Sequence, residues 1–300
     1  MRILGLIVGL SLRVSCLLAQ EEDPVFKLNV DVDLVEVHVS VTDDKDRPVG
    51  NLSEQNFKLF EDRVEQDISV FKQEDIPVSL GLVIDNSRSI EPRKQRLDAA
   101  ALSFVQKGNP QDETFVIHFD DKARLTQDFT ASISQLEGAL ANVHPFGQTA
   151  IYDALIMALN HMETAQYPKK AVLLITDGID NSSKHSLEEA VEAVKMSRVA
   201  VYTVGLLSAS GGEAAEDSLI RISETSGGRA FFPENVEQAQ EAMHRVAKDL
   251  REQYTLGYFP NNPQRDGSWR SVRVEIIPPV TRSFPRLKAN YRHGYYGPSE

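Results

Sequence analysis

Residues 78–84, Val78-Ser79-Leu80-Gly81-Leu82-Val83-Ile84, run without a break into Asp85-Asn86-Ser87-Arg88-Ser89. A run this short, dominated by Val, Leu and Ile, reads as a strand covered on both faces, as strands of parallel sheets are. Immediately after it the apolar spacing changes. Ile90, Leu97, Ala101, Phe104 and Val105 recur at helical intervals. Further short apolar runs lie at 114–119, 171–176, 199–205 and 229–232. Between them, helical patterns are carried by Ile133/Leu136/Leu140, Ile151/Leu155/Leu159/Met162, Leu187/Val191/Val194 and Leu219/Ile222. The longest pattern closes the series, with Val236, Ala239, Met243, Val246 and Leu250 on one face. Buried strand alternating with amphipathic helix predicts an α/β fold, a doubly wound and mainly parallel sheet over 77–252.

Outward from this module the pattern has period two on both sides. Val30, Val32, Leu34, Val35, Val37, Val39 and Val41 precede it, with a turn at 43–48 and short runs at 57–60 and 68–71. Residues 254–259, 269–276 and 287–291 follow it in the same style. Neither set buries a core by itself. The two segments, 24–75 and 253–296, are therefore expected to pair into one small β-sandwich with the α/β module inserted between them.

Composition narrows the function. The chain of 300 residues is 41% apolar and carries 44 acidic against 32 basic residues, a net charge of −12. That balance argues against a nucleic-acid partner. Cys16, the single cysteine, excludes a disulfide framework, a zinc ribbon and an iron–sulfur site. It lies within Met1–Ala19, where a basic residue, an apolar run and a small residue precede the polar start Gln20-Glu21-Glu22-Asp23. This reads as a signal peptide over 1–19, and so as an exported protein of periplasm, surface or medium. Lipidation at Cys16 is disfavoured by Arg13. No later stretch is long and apolar enough to span a bilayer, so no transmembrane span is expected in the mature chain.

In doubly wound sheets, ligands bind beyond the carboxyl ends of the strands, where strand order reverses. Asp85, Ser87 and Ser89 follow the first strand of the module, and Asp177-Gly178 follows the run at 171–176. Phe146-Gly147-Gln148-Thr149-Ala150 supplies another hydroxyl just before a helix. Two carboxylates and three hydroxyls form an oxygen-only donor set of the kind hard divalent ions prefer, Mg²⁺ or Mn²⁺ above all. The same residues taken singly also suit helix caps. Asp180-Asn181-Ser182-Ser183 reads as a capping loop, Asp120-Asp121 as a turn, and Asp153 either as a support behind the ion's ligands or as a partner for a nearby base. The seven histidines are scattered, with no H-x-x-x-H pair, and no phosphate-binding loop or nucleophile elbow occurs.

Asp85, Ser87, Ser89, Thr149 and Asp177, in that order, resemble the metal-ion-dependent adhesion site of von Willebrand factor type A (VWFA) domains, over about residues 77–250. The flanking stretches VTDDKDRPVGNLSEQNFKLFED, YTLGYFPNNPQRDGSWRSVRVEI and YRHGYYG widen the resemblance to exported bacterial VWFA-related proteins frequent in Acidobacteria. The resemblance implies that Ser87, Ser89 and Thr149 touch the metal, with Asp85 and Asp177 binding directly or through water. The ion would be Mg²⁺, with Mn²⁺ or Ca²⁺ as substitutes. A sixth position would receive an Asp or Glu of a protein partner. It implies a non-catalytic binding or adhesion module. The alternatives are a structural scaffold whose metal site only stabilises or is vestigial, and a metal-dependent phosphoesterase. For the latter a second carboxylate is wanted two residues after Asp85, where Ser87 stands. In some relatives the last helix, here Val236–Glu252, switches the site between forms. Gln148 replaces the second glycine often found before the Thr, and Arg88 either favours an acidic ligand through its charge or is a solvated side chain.

Overall fold

The computed structural model describes residues 34–141, 143–206, 212–277 and 286–299. The expected signal peptide, Cys16 and the first part of the N-terminal β segment lie outside them. Among the described residues four strands come first: β1 (Val35–Thr42), β2 (Phe57–Glu61), β3 (Val64–Gln66) and β4 (Val70–Lys72). The α/β module opens with β5 (Ser79–Asp85), α1 (Lys94–Gln106), β6 (Glu113–Phe119), β7 (Ala123–Thr130) and α2 (Ile133–Ala141). It continues through α3 (Ile151–His161), β8 (Lys170–Thr176), α4 (Leu187–Met196) and β9 (Ala200–Gly205), then α5 (Gly212–Ser226), β10 (Ala230–Phe231) and α6 (Val236–Glu252). The described part of the C-terminal segment holds four strands: β11 (Tyr254–Tyr258), β12 (Trp269–Ile276), β13 (Lys288–Asn290) and β14 (Gly294–Tyr296).

The central sheet has the order β10-β9-β8-β5-β6-β7. Every neighbouring pair in it is parallel except β6 with β7, which form an antiparallel hairpin at one edge. All seven residues of β5 are buried, as the apolar run predicts for a strand covered on both faces. Alternate residues serve opposite layers. Leu80, Leu82 and Ile84 pack with Leu97, Phe104, Met243 and Val246 from α1 and α6. Val83, with Phe115 and Ile117, packs with Leu155, Val191 and Ile222 from α3, α4 and α5. From β5 the chain steps outward to β6 in one direction and returns to β8 on the other side. The strand order therefore reverses beside β5, and a crevice opens at the carboxyl ends of β5 and β8.

The terminal segments combine as the period-two patterns predict. One sheet has the order β13-β1-β11-β4 and the other β14-β12-β2-β3, so each mixes strands from before and after the module. Val37, Val39, Phe57, Leu59, Tyr254, Leu256, Val272 and Val274 from both sheets share one core, which makes the pair a sandwich. The alternating burial of β12, with Arg270, Val272 and Val274 inward, fits one covered face. Arg270 is tolerated inside because Glu61 lies opposite, 3.7 Å away. The same carboxylate accepts hydrogen bonds from Tyr258 at 2.6 Å and Tyr295 at 2.7 Å.

All described residues belong to one compact unit, and several polar contacts join sandwich to module. Arg251, just past the last buried turn of α6, pairs with Asp75 at 2.6 Å and Asp112 at 2.7 Å. Gln253 donates to Ser40 and Tyr202. In the closing YRHGYYG stretch, Arg292 donates to the carbonyls of Lys195 and Ser197 at the end of α4, where a cation also meets the negative end of the helix. Tyr296 donates to Glu192 on the same helix at 2.7 Å. Among the described residues no helix is long and apolar enough to cross a membrane.

Candidate metal centre

The carboxyl end of β5 delivers Asp85 into the crevice with its side chain buried, and the chain turns at once. The backbone N–H of Ser87 donates to Asp85 Oδ1 at 2.8 Å, which fixes the turn that presents both serines. Thr176, the last residue of β8, donates its hydroxyl to Asp85 Oδ2 at 2.6 Å. The two strand ends at the switch point are thereby joined through one carboxylate. From Ser87 the contact continues: its Oγ lies 3.0 Å from Ser89 Oγ, and Ser89 Oγ donates to Asp177 Oδ1 at 2.8 Å. Ser87 precedes a short 3-10 turn (Arg88–Ile90), yet its side chain makes no capping bond. The simple cap reading therefore does not describe the Ser87 side chain.

Thr149 arrives from a third loop, leading into α3. Its hydroxyl lies 3.4 Å from the point a Cβ on Gly178 would occupy, which places it beside the Asp177-Gly178 turn. Asn181 holds Thr149 from both sides, accepting from its N–H at 2.9 Å and donating to its carbonyl at 3.0 Å. Asp180 accepts from the N–H of Tyr152 in the first turn of α3, so the loop after Asp177 caps that helix as expected. Asp153 accepts from His185 at 2.7 Å and from the Lys184 N–H, the base-partner role of the two its position allowed.

The loop before Thr149 is strapped from the β6–β7 turn. Asp121 accepts from the N–H of Gln148 at 2.7 Å. Gly147 has φ +73, and a Cβ on it would lie 2.5 Å from the same carboxylate. Asp120, itself buried, accepts through its backbone carbonyl from Ala150 at 2.9 Å. Asn86 completes the frame, with its backbone bonded to Phe119 and Phe146 and its side chain to the carbonyl of His144 at 2.6 Å.

The electrostatics follow from burial. Asp85, Ser87, Thr149 and Asp177 are 1%, 2%, 4% and 7% exposed, while Ser89 and Arg88 face solvent, so the cluster opens to water at Ser89. Burial raises the pKa of Asp85 above the ordinary carboxylate range; bonds from Thr176 and Ser87 oppose the rise, and the charge of Asp177 adds to it. Burial likewise raises Asp177, against the pull of Ser89 and Arg93. Two desolvated carboxylates that repel one another, surrounded by hydroxyl oxygens, suit a hard divalent cation, which would neutralise both. Among the described residues no three His, Cys, Asp or Glu side chains come together as a metal-holding group. An ion held here would depend on the hydroxyls.

All five residues singled out from the sequence thus border one crevice, four of them linked by consecutive hydrogen bonds. Of the two readings of Arg88, its exposed side chain fits the solvated one. Arg93, five residues on, reaches back across the turn to Asp177 Oδ2 at 2.9 Å. Thr176 and Arg93 carry no signature of their own in the sequence; the β8 end and the 88–93 turn create their contacts.

The sequence matches the von Willebrand factor type A domain over residues 80–245, more than half of the chain, and the chain belongs to that family. No curated protein matches it. Among solved structures it is similar to proximal thread matrix protein 1 of the mussel byssus, at 21% identity and TM-score 0.51, covering 64% of this chain and 51% of that one. A second structure of that mussel protein, at TM-score 0.50, has zinc in its MIDAS motif. The PilB minor pilin from Streptococcus sanguinis is similar at 15% identity and TM-score 0.51, over 60% of this chain and 63% of that one. The match spans about half the length of the mussel protein, and at these identities the likeness concerns the fold.

Proposed function

We propose that this chain is an exported, non-catalytic binding module that captures an acidic side chain of a partner protein through a divalent ion. Asp85, Ser87, Ser89, Thr149 and Asp177 would hold the ion, which supplies a positive, exchangeable coordination position for a carboxylate. The observation that carries this reading is the chain of bonds from Thr176 through Asp85, Ser87 and Ser89 to Asp177. It gathers oxygen donors at the switch point of the sheet and leaves one side open to solvent. Mg²⁺ is the favoured ion, with Mn²⁺ and Ca²⁺ as substitutes; the zinc in the mussel structure is a reason to test that ion too.

The rest of the chain holds this cluster rather than reacting. Asn181, Asp121 and Asn86 fix the three loops, and none presents a free nucleophile to the crevice. Where a phosphoesterase wants a second carboxylate, Ser87 turns its hydroxyl to Ser89. A scaffold role draws support from the bonds of Arg292 and Tyr296, which tie the sandwich to α4.

The test is capture from an immobilised library of Asp- and Glu-containing peptides, with Mg²⁺ or with EDTA, by the wild type and Asp85→Ala. Retention that needs both the ion and Asp85 supports recognition. Metal binding that stabilises the chain while no acidic peptide is retained would favour the scaffold.

A further inference from the structure

Arg93 follows the short 3-10 turn and precedes α1, and its guanidinium is 40% exposed while the Asp177 side chain it meets is 2% exposed. Its bond to Oδ2 is 2.9 Å long, and the other carboxylate oxygen already takes the Ser89 hydroxyl. Among the described residues no other cation lies within ion-pair distance of Asp85 or Asp177. A buried carboxylate without a counter-charge is strongly unfavourable, and Arg93 is the counter-charge that the fold sets against Asp177. Arg88, the other arginine of the turn, is exposed and screened by solvent.

We propose that Arg93 is a built-in competitor for the metal: it occupies Asp177 as the cation of the ion-free protein and lowers the affinity of the site for divalent ions. This rests on the reading of the five oxygen donors as a metal site. A divalent ion draws on the same carboxylate and repels the guanidinium, so filling the site requires Arg93 to give up part of its bond. The chain thereby sets an ion-concentration threshold below which the site stays closed by its own side chain. Loaded, the site carries two carboxylates, two charges of the ion and one of Arg93, an excess of one positive charge that suits an acidic ligand.

The test is calorimetric titration of the full chain with Mn²⁺, for wild type, Arg93→Gln, Arg88→Gln and Asp85→Ala, alongside thermal unfolding with and without the ion. Arg93→Gln is expected to tighten Mn²⁺ binding about tenfold or more, the scale of one nearby charge in a partly buried site. It should also melt lower than wild type in EDTA and recover with Mn²⁺. Arg88→Gln should change affinity less than about threefold, as screened charges do. Equal or weaker Mn²⁺ binding by Arg93→Gln, or the same tightening by Arg88→Gln, overturns the competitor role while leaving the metal site standing. No Mn²⁺ binding by wild type and Arg93→Gln alike, or binding undiminished in Asp85→Ala, overturns the metal site itself.

Discussion

Asp249→Asn is expected to make the protein more stable at neutral pH and less stable in acid. Asp249 lies on α6 with its side chain 1% exposed, and the nearest cation, Arg229, stands 3.5 Å from Oδ2. That is ion-pair range without a hydrogen bond, and neither carboxylate oxygen has a hydrogen-bond partner among the described residues. Arg229 is shared, its other nitrogen being 3.3 Å from Asp46 in the β1 turn. Burial raises the Asp249 pKa from 3.8 to about 6, with Arg229 opposing and Glu252 and Asp46 adding to the rise. A folded pKa above the unfolded one means the folded chain holds the proton more tightly. Below pH 3.8 the group imposes no penalty; stability then falls as pH rises through the window from 3.8 to about 6. By pH 7 the ionised side chain costs ~3 kcal/mol. An asparagine removes that penalty and brings an unmatched amide worth ~1–2 kcal/mol against it. The net expectation is a gain of ~1–2 kcal/mol at pH 7.5 and a loss of no more than ~1 kcal/mol at pH 4.5, where the wild type already carries ~1 kcal/mol of the penalty. Urea unfolding in EDTA at both values reads it directly. A stability difference that stays flat with pH, or a variant less stable than wild type at pH 7.5, would refute the reasoning and make ionised Asp249 a net stabilising partner of Arg229.

Two other predictions concern the sandwich. Glu61→Ala removes the acceptor of Tyr258 and Tyr295 and leaves Arg270, 2% exposed, without its counter-charge; a loss of ~3–5 kcal/mol is expected in denaturant unfolding. Arg292→Ala frees the carbonyls of Lys195 and Ser197. It should cost ~1.5–3 kcal/mol and speed amide exchange in the last turn of α4 more than in α1.

The central fold was legible because its strands are short, apolar and separated by helical periods, the pattern of a parallel sheet covered by helices. The edge was not. In β7, Arg124, Leu125 and Thr126 all face solvent, so no alternation marks it; it exists because the Asp120–Lys122 turn folds it back onto β6. The expected strand at 229–232 is reduced to two residues, Ala230–Phe231, while β14 adds a fourth strand to the C-terminal set. That the terminal segments pair was predictable from what neither can bury alone. Their interleaving, β1 with β11 and β2 with β12, depends on contacts some 200 residues apart that no local pattern encodes. The placement of Asp85, Ser87, Ser89 and Asp177 was legible because two strand ends fix where they go, and that of Thr149 because it stands just before a helix. Arg93 was not, since choosing it over Arg88 requires the path of the 88–93 turn.

The central claim is that five oxygen donors form a divalent-ion site, and the most direct measurement is thermal unfolding of the chain in EDTA, Mg²⁺, Mn²⁺, Ca²⁺ and Zn²⁺, with Asp85→Ala and Thr149→Ala beside wild type. An ion that binds only the folded state adds ~2.7 kcal/mol at a hundred times its Kd, so the wild-type midpoint should rise with the preferred ion and the variants should not follow. A midpoint unmoved by every ion, or a rise of equal size in both variants, would contradict the account.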